Sequence, residues 1–194
     1  LYLSSIATDL HLTATYFVVA HFHYVMVGGA LLGFMAGLHF WWPKMTGRMY
    51  DEFWARVCAI TMFIGFNMTF FPQFIMGWLG MPRRYHFYAQ EYQVWHVASS
   101  LGASVLGIAF ILPAVYLTQS LFAGKKASAN PWNAVGLEWT IPSPPTTFNF
   151  PDDNPPVVTW EAYEYYKEAH GQGHVRKEEM VAFEWRTSGE EANV

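Results

Sequence analysis

Three long stretches of this 194-residue chain carry no Asp, Glu, Lys or Arg, and this pattern constrains the fold more than any other feature. The stretches are residues 10–43, 57–82 and 92–124. A helix that crosses a bilayer needs about 20 mainly apolar residues. Each stretch can hold one such helix, so the sequence predicts a chain that spans a membrane three times.

Aromatic residues and prolines set the expected limits of these spans. The predicted spans are residues 15–41, 57–79 and 94–123. Trp-Trp-Pro at 41–43 predicts interfacial aromatics and a helix stop at the end of the first span. Pro72 and Pro113 predict bends inside the second and third spans. The predicted fold class is an all-α membrane protein with three transmembrane helices and an irregular polar tail.

The chain changes character after residue 123. From residue 125 onward it has eleven acidic and six basic side chains, so this part is predicted to lie in water as an extramembrane region, 124–194, after a transmembrane region, 1–123. Six prolines between 142 and 156 predict an extended, partly polyproline-like path, and 159–170 is compatible with a helix. The net charge of −4 reflects mainly this tail, and nothing indicates nucleic-acid binding.

The loops predict an orientation in the membrane. Three basic residues lie in the first loop, two in the second and two directly after the last span. The positive-inside rule therefore places the first loop and the tail on the cytoplasmic or mitochondrial matrix side. The first eight residues show neither a basic region nor a cleavage site of a signal peptide, so we expect the sequence to begin inside a longer polypeptide.

Gly29, Gly33 and Gly37 recur at four-residue spacing in the first span. Small residues at this spacing clear one helix face for the close approach of another helix, although membrane helices are also generally rich in glycine. Because three spans make a thin bundle, we expect further helices from other chains.

His21 and His23 lie in the middle of the first span, where a polar ring is costly and indicates a functional role. Residues two apart on an α-helix point about 200° away from each other, so the two imidazoles cannot share one metal. Each can bind the iron of a separate haem on either side of the helix. The alternative is a pair of hydrogen-bonded core histidines in a transporter or channel. His39, His86 and His96 lie near span ends, where we expect interfacial hydrogen bonds.

The string Tyr-Phe-Val-Val-Ala-His-Phe-His-Tyr-Val at 16–25 closely resembles a signature of subunit I in the haem-copper oxidase family, which includes the cytochrome c oxidases. The resemblance covers nearly all of positions 9–150. It continues in the family's order through Trp-Pro-Lys-Met-Thr-Gly-Arg-Met-Tyr at 42–50, Gly-Met-Pro-Arg-Arg-Tyr at 80–85, Asn-Pro-Trp at 130–132 and Leu-Glu-Trp at 137–139.

This resemblance implies a role for five residues. His21 resembles the proximal ligand of the high-spin haem at which oxygen is reduced, and is the catalytic residue in this interpretation. His23 resembles an axial ligand of the low-spin haem that supplies electrons. Arg83 and Arg84 resemble a pair that contacts haem propionates, although they also suit lipid headgroups. Asp9 resembles an acid near those propionates, and a helix-start role is the alternative.

The resemblance also implies cofactors. We expect two haems, of the haem A type, and copper at a binuclear centre whose ligands lie outside this chain. A magnesium site is in doubt, because the family usually has His-Asp where this sequence has Thr13 and Ala14, and alanine has no donor atom. His11 lies nearby as a replacement ligand.

The implied function is that of a part of a terminal respiratory oxidase, resembling the last three of twelve helices. Such an enzyme reduces oxygen to water with electrons from cytochrome c, pumps protons, and is active only together with the rest of subunit I. Expected partners are the N-terminal portion of subunit I, subunits II and III, cytochrome c or quinol, and the lipid bilayer. The bacterial inner membrane is expected ahead of the mitochondrial one.

The alternatives are a quinol oxidase or a nitric oxide reductase of the same superfamily, a non-catalytic membrane cytochrome and a haem-free scaffold subunit. The loop at 42–50 is of the oxygen-reducing type, which argues against the nitric oxide reductase. The electron donor cannot be read from this part of the sequence.

Overall fold

A computed structural model describes residues 2–134 and 136–150, and within these residues the chain is helical, with no β-strand. Five α-helices make up most of it. The α-helices are α1 (Ile6–Leu12), α2 (Tyr16–Val25), α3 (Leu32–Thr46), α4 (Glu52–Trp78) and α5 (Gln93–Ala123); a π-helix, Met26–Leu31, joins α2 to α3, and 3-10 turns cover Tyr2–Ser4, Gln90–Tyr92 and Leu137–Trp139. The all-α prediction is confirmed.

Three helical segments are long and apolar enough to cross a membrane: Tyr16–Thr46, Glu52–Trp78 and Gln90–Ala123. They are called the first, second and third span below. They confirm the three-span prediction by length and composition. Pro72 and Pro113 lie inside continuous helices. The predicted helix at 159–170 and the last prolines of the tail lie outside the described residues.

The predicted helix stop at Pro43 is wrong, because α3 continues through this residue to Thr46. A proline removes the helical hydrogen bond to the carbonyl four residues earlier but leaves its own carbonyl as an acceptor. The Pro43 carbonyl accepts from the Gly47 N–H at 2.9 Å, so the ladder continues on its C-terminal side. The helix ends before Gly47, whose φ of 69° is the left-handed conformation that glycine adopts at helix ends.

The second span begins five residues before the predicted position. Asp51 caps α4, because its Oδ1 accepts from the Phe53 N–H at 2.9 Å and from the Trp54 N–H at 3.3 Å. Glu52 and Arg56 form an ion pair of 2.9 Å one helix turn apart. These charged residues, predicted to lie in a loop, therefore form the first turns of the helix.

The chain divides into two compact units, and residues up to 39 form the first unit with residues 50–123. In this unit the second and third spans approach at the level of the backbone. A Cβ atom on Gly65 would lie 2.6 Å from the Leu106 nitrogen, and one on Gly102 would lie 2.4 Å from the Thr69 nitrogen. The start of the first span also meets the second span at backbone level, because a Cβ on Gly77 would lie 1.9 Å from the Phe17 nitrogen.

The second unit consists of residues 40–49 and the residues after 123. Its described part is held together by Lys44, a buried side chain whose Nζ donates to the carbonyls of Ala129 at 2.9 Å and Ile141 at 2.6 Å. Trp132 Nε1 donates to the Phe40 carbonyl at 2.8 Å. The end of α5 at Ala123 coincides with the boundary predicted between the transmembrane and extramembrane regions, which stays a prediction.

Candidate functional site

The two mid-span histidines both lie on α2, which begins after Thr15. The Thr15 hydroxyl caps this helix by accepting from the Phe17 N–H at 3.2 Å. Because an α-helix turns about 100° per residue, the side chains of His21 and His23 leave it about 200° apart. His23 is half-buried against Phe70 of the second span, whereas His21 is exposed.

His23 is held in a defined orientation. Its Nδ1 lies 2.8 Å from the Val19 carbonyl, and its ring stacks on Phe22 at 4.3 Å and on Phe70 at 4.2 Å. A carbonyl can only accept, so Nδ1 carries the proton and the lone pair of the neutral ring is on Nε2. A histidine that donates Nδ1–H to a backbone carbonyl and offers Nε2 is the arrangement that orients metal ligands.

His21 has neither a hydrogen bond nor a ring contact with any other residue that the structure describes. An imidazole at membrane depth is costly unless it binds something. The two histidines thus present two imidazole donors on opposite sides of one helix. This donor set fits the axial ligands of two separate haems, since each haem iron commonly takes a histidine.

The loop that carries the two arginines is joined to the start of the first span. The Arg83 N–H donates to the Ala14 carbonyl at 2.9 Å, and the Tyr16 N–H donates to the Met81 carbonyl at 3.0 Å. Residue 14 precedes His21 by seven positions, which is roughly 10 Å along a helix axis. Arg83 is half-buried, Arg84 is exposed with a φ of 70°, and neither forms an ion pair within 2–134 and 136–150.

The other predicted site residues lie before the first span. Asp9 is half-buried in the first turn of α1, where a carboxylate interacts favourably with the helix dipole, and its predicted role near propionates stays a prediction. Ala14 has a φ of 58°, a conformation in which aspartate and asparagine are much better tolerated. Among the described residues no group of three or more His, Cys, Asp or Glu side chains could hold a metal ion.

One feature of this region was not predicted. The π-helix at Met26–Leu31 directly follows the histidines, and such segments are frequent at functional sites. Its sequence signal is the Gly28-Gly29 pair, which a helix tolerates poorly. Gly29 and Gly33 have no atom of another described residue within 4 Å of an added Cβ, so the approach of another helix to this face stays a prediction.

The three outer histidines have different surroundings. His39 Nδ1 lies 2.6 Å from the Met35 carbonyl and its Nε2 hydrogen-bonds the Tyr116 hydroxyl of the third span. His96 lies against the ring of Tyr88 and 3.2 Å from the Met81 sulfur. His86 is exposed in the second loop. His39 thus forms hydrogen bonds, but its side-chain partner, Tyr116, is buried in the bundle and does not lie at the membrane interface that was predicted.

Comparison with known proteins shows what this chain is similar to. A family profile described as cytochrome c and quinol oxidase polypeptide I matches residues 1–105. Three similar proteins are each named cytochrome c oxidase subunit 1. The one from Synechocystis sp. is 43% identical over 162 residues, the one from Bacillus subtilis 42% over 151, and the one from Cereibacter sphaeroides 44% over 164.

These alignments cover most of this chain but little of the relatives. They include 84%, 76% and 82% of the chain, and 29%, 24% and 28% of the respective proteins. The chain therefore spans about a quarter of the length of the curated relatives it matches.

Proposed function

We propose that this chain, which belongs to the cytochrome c and quinol oxidase polypeptide I family, supplies one axial histidine to each of two haems in an oxygen-reducing membrane enzyme. The observation that carries this proposal is the pair of imidazoles on α2. His23 has its Nδ1 proton fixed by the Val19 carbonyl, and His21 has no partner among the described residues.

The two histidines have separate roles in this proposal. His21 is the proximal ligand of the high-spin haem, and His23 is one axial ligand of the low-spin haem. Because both side chains leave one helix, α2 fixes the separation of their two nitrogens. The stacking of His23 on Phe22 and on Phe70 restricts rotation of its ring.

When bound, the low-spin haem would supply electrons to the pair of high-spin haem and copper, which would supply the chemistry of oxygen reduction. Arg83 and Arg84 would bind haem propionates, since a guanidinium pairs with a carboxylate through two parallel hydrogen bonds. Two observations support this role. The loop is fixed to the start of the first span by backbone hydrogen bonds, and its guanidinium groups have no carboxylate partner within the described residues.

The finer parts of the proposal come from the family. We propose haem A as the haem type, cytochrome c as the electron donor, and coupled proton pumping. The N-terminal portion of subunit I would supply the copper ligands and the second axial histidine, and subunits II and III would complete the enzyme. We place the enzyme in a bacterial inner membrane, with the tail on the cytoplasmic side. Quinol is the alternative donor that the family description includes.

The test is substitution of each histidine in the assembled oxidase. His23→Ala should abolish the low-spin haem absorption and leave the high-spin haem, whereas His21→Ala should do the reverse, with at least a tenfold loss of oxygen reduction in both. Absorption spectra and pyridine haemochrome quantification give the haem content. His39→Gln is the matched control, because His39 lies on the same span but bonds to Met35 and Tyr116.

Retention of both haem spectra in His23→Ala, with the protein inserted normally, would refute the assignment. Haem B alone in the haemochrome spectrum would contradict the haem A proposal. Steady-state oxidation of reduced cytochrome c against that of a quinol distinguishes the two donors.

A further inference from the structure

Two basic residues face each other in the second unit. Arg48 and Lys126 form an isolated antiparallel bridge. The bridge is closed by the Met49 N–H, which donates to the Lys125 carbonyl at 2.8 Å, and by the Ala127 N–H, which donates to the Gly47 carbonyl at 2.9 Å. These hydrogen bonds lie on either side of Arg48 and Lys126 and do not join the two residues directly. In such a non-hydrogen-bonded pair the opposed Cα atoms are about 4.5 Å apart, and the two side chains are closer together than in a hydrogen-bonded pair.

Like charges directly opposite each other destabilise such a pair unless something neutralises them. The described part of the second unit has four basic residues, Lys44, Arg48, Lys125 and Lys126, and a single acid, Glu138. The carboxylate of Glu138 accepts from Trp41 Nε1 at 3.4 Å. Neither Arg48 nor Lys126 forms an ion pair with any residue in the described ranges, so their charge is not balanced there.

The Arg48 guanidinium is already positioned. Its Nη1 donates to the Gly124 carbonyl at 2.8 Å, so the half-buried side chain reaches across to the segment that carries the lysines. An arginine has five N–H donors, and those not used by Gly124 remain for an anion. Lys125 and Lys126 are exposed. Lys44 does not contribute, because it is buried and bonded to backbone carbonyls.

The position of this pair along the chain indicates what the anion is. Arg48 lies two residues after the end of the first span at Thr46, and Lys125 lies two residues after the end of the third span at Ala123. The chain crosses the membrane twice between these ends, through the second and third spans, so both ends lie on the same side of the membrane, at headgroup level. Basic residues next to membrane spans on the cytoplasmic side attract anionic lipids.

We propose that Arg48 and Lys126, assisted by Lys125, bind the phosphate of an anionic phospholipid. The guanidinium binds two phosphate oxygens, and the two ammonium groups neutralise the remaining charge. Lipid binding would link the ends of residues 40–49 and 124–127 and remove the repulsion within the bridge. This proposal depends on the chain spanning a membrane and not on the haems.

The test measures phosphatidylglycerol binding by the complete membrane complex that contains this chain. The complex is reconstituted in phosphatidylcholine nanodiscs with increasing phosphatidylglycerol, and bound lipid is counted by native mass spectrometry. Arg48→Gln and Lys126→Gln should each weaken binding about fivefold, because each basic residue near the surface contributes about 1 kcal/mol. Lys126→Arg keeps the charge and should bind like the wild type.

Arg56→Gln is the matched control, since it removes a basic residue in the first turns of the second span that is already paired with Glu52, and it should change binding less than twofold. If Arg48→Gln does not accumulate, the exposed Lys126→Gln decides alone. Unchanged binding in Lys126→Gln overturns the proposal. Two other results would also overturn it. Equal competition by inorganic phosphate would indicate a site for free anions. Lipid binding that appears only after truncation at residue 150 would indicate that Arg48 and Lys126 bind the acidic tail in the intact chain.

Discussion

The contact between the first and second spans differs from the contact between the second and third spans. The second and third spans meet backbone to backbone through Gly65 and Gly102. The first span meets the second at backbone level near its own start, where Phe17 lies against Gly77. Beyond that point the two spans touch through aromatic side chains, such as Tyr24, whose ring is 4.6 Å from that of Phe66, while Gly29 and Gly33 face no described atom.

This difference concerns what holds the helices of the first unit together. Without a hydrophobic driving force in lipid, helices associate through close packing of small residues and through interhelical hydrogen bonds. The second and third spans have both, since Gln73 Nε2 donates to Ser99 Oγ at 3.2 Å and Ser99 Oγ donates to the Thr69 carbonyl at 2.6 Å. On the first span, Gly29, Gly33 and the His21 imidazole have no such contacts among the described residues.

Substitution of Gly102 should break the packed pair. In Gly102→Ala the new Cβ would lie 2.4 Å from the Thr69 nitrogen. This clash is with backbone atoms, which cannot move away as easily as a flexible side chain can. We expect a loss of about 3 kcal/mol in the free energy of unfolding, at the upper end of overpacking effects. A denaturant titration of the assembled membrane protein in detergent, followed by circular dichroism, measures it.

Gly107→Ala on the same helix is the control for this prediction. Gly107 has no described atom within 4 Å of an added Cβ, so its substitution should change stability by no more than about 0.5 kcal/mol. Equal effects at both positions would show that the two spans do not meet at Gly102.

A smaller effect is expected for the polar contact of the same pair. Ser99→Ala removes the acceptor of the Gln73 amide and the donor to the Thr69 carbonyl. Gln73 Oε1 is buried and has no hydrogen-bond partner within the described residues, so the whole amide would be left without one. We expect a loss of about 1 kcal/mol by the same titration.

Ser104→Ala provides the comparison for Ser99→Ala. Ser104 is exposed on the same helix, and its hydroxyl donates to the Ser100 carbonyl at 3.1 Å. Its loss should be close to zero, since surface substitutions usually stay within about 0.5 kcal/mol. A loss at position 104 as large as at position 99 would mean that the hydroxyl acts through its own helix and not between helices.

The sequence predicts the spans well, because a charged side chain inside a bilayer is costly enough to leave long charge-free stretches. It does not predict their ends with the same accuracy. Asp51 extends the second span by capping it, and Pro43 costs the first span one hydrogen bond without ending it. Both outcomes depend on local hydrogen bonds that hydropathy does not describe.

Packing partners are also hidden from the sequence. The four-residue glycine spacing of the first span predicted a close helix contact, whereas the glycines that make close backbone contacts between the described helices, Gly65, Gly77 and Gly102, do not recur at four-residue spacing. The site is a similar case. The spacing of His21 and His23 gives their divergence, while the contact of His23 with Phe70 requires the fold.

The smallest expected effect concerns the hydrogen bond that joins the first span to the third. Tyr116 is buried, and its hydroxyl bonds with His39 Nε2. His39 Nδ1 lies 2.6 Å from the Met35 carbonyl, so Nδ1 carries the proton of the neutral ring and Tyr116 is the donor. Tyr116→Phe keeps the ring and removes this donor. We expect a loss of about 0.6 kcal/mol, the average for hydrogen bonds between membrane helices.

A double-mutant cycle with His39→Phe separates this bond from other effects of the two substitutions. Because either single change already breaks the bond, the double variant should lose about 0.6 kcal/mol less than the sum of the two single losses. Additive losses would show that the residues do not interact. A coupling well above about 1.7 kcal/mol would exceed the range for one such bond and would mean that the first span depends on the third far more than its packing indicates.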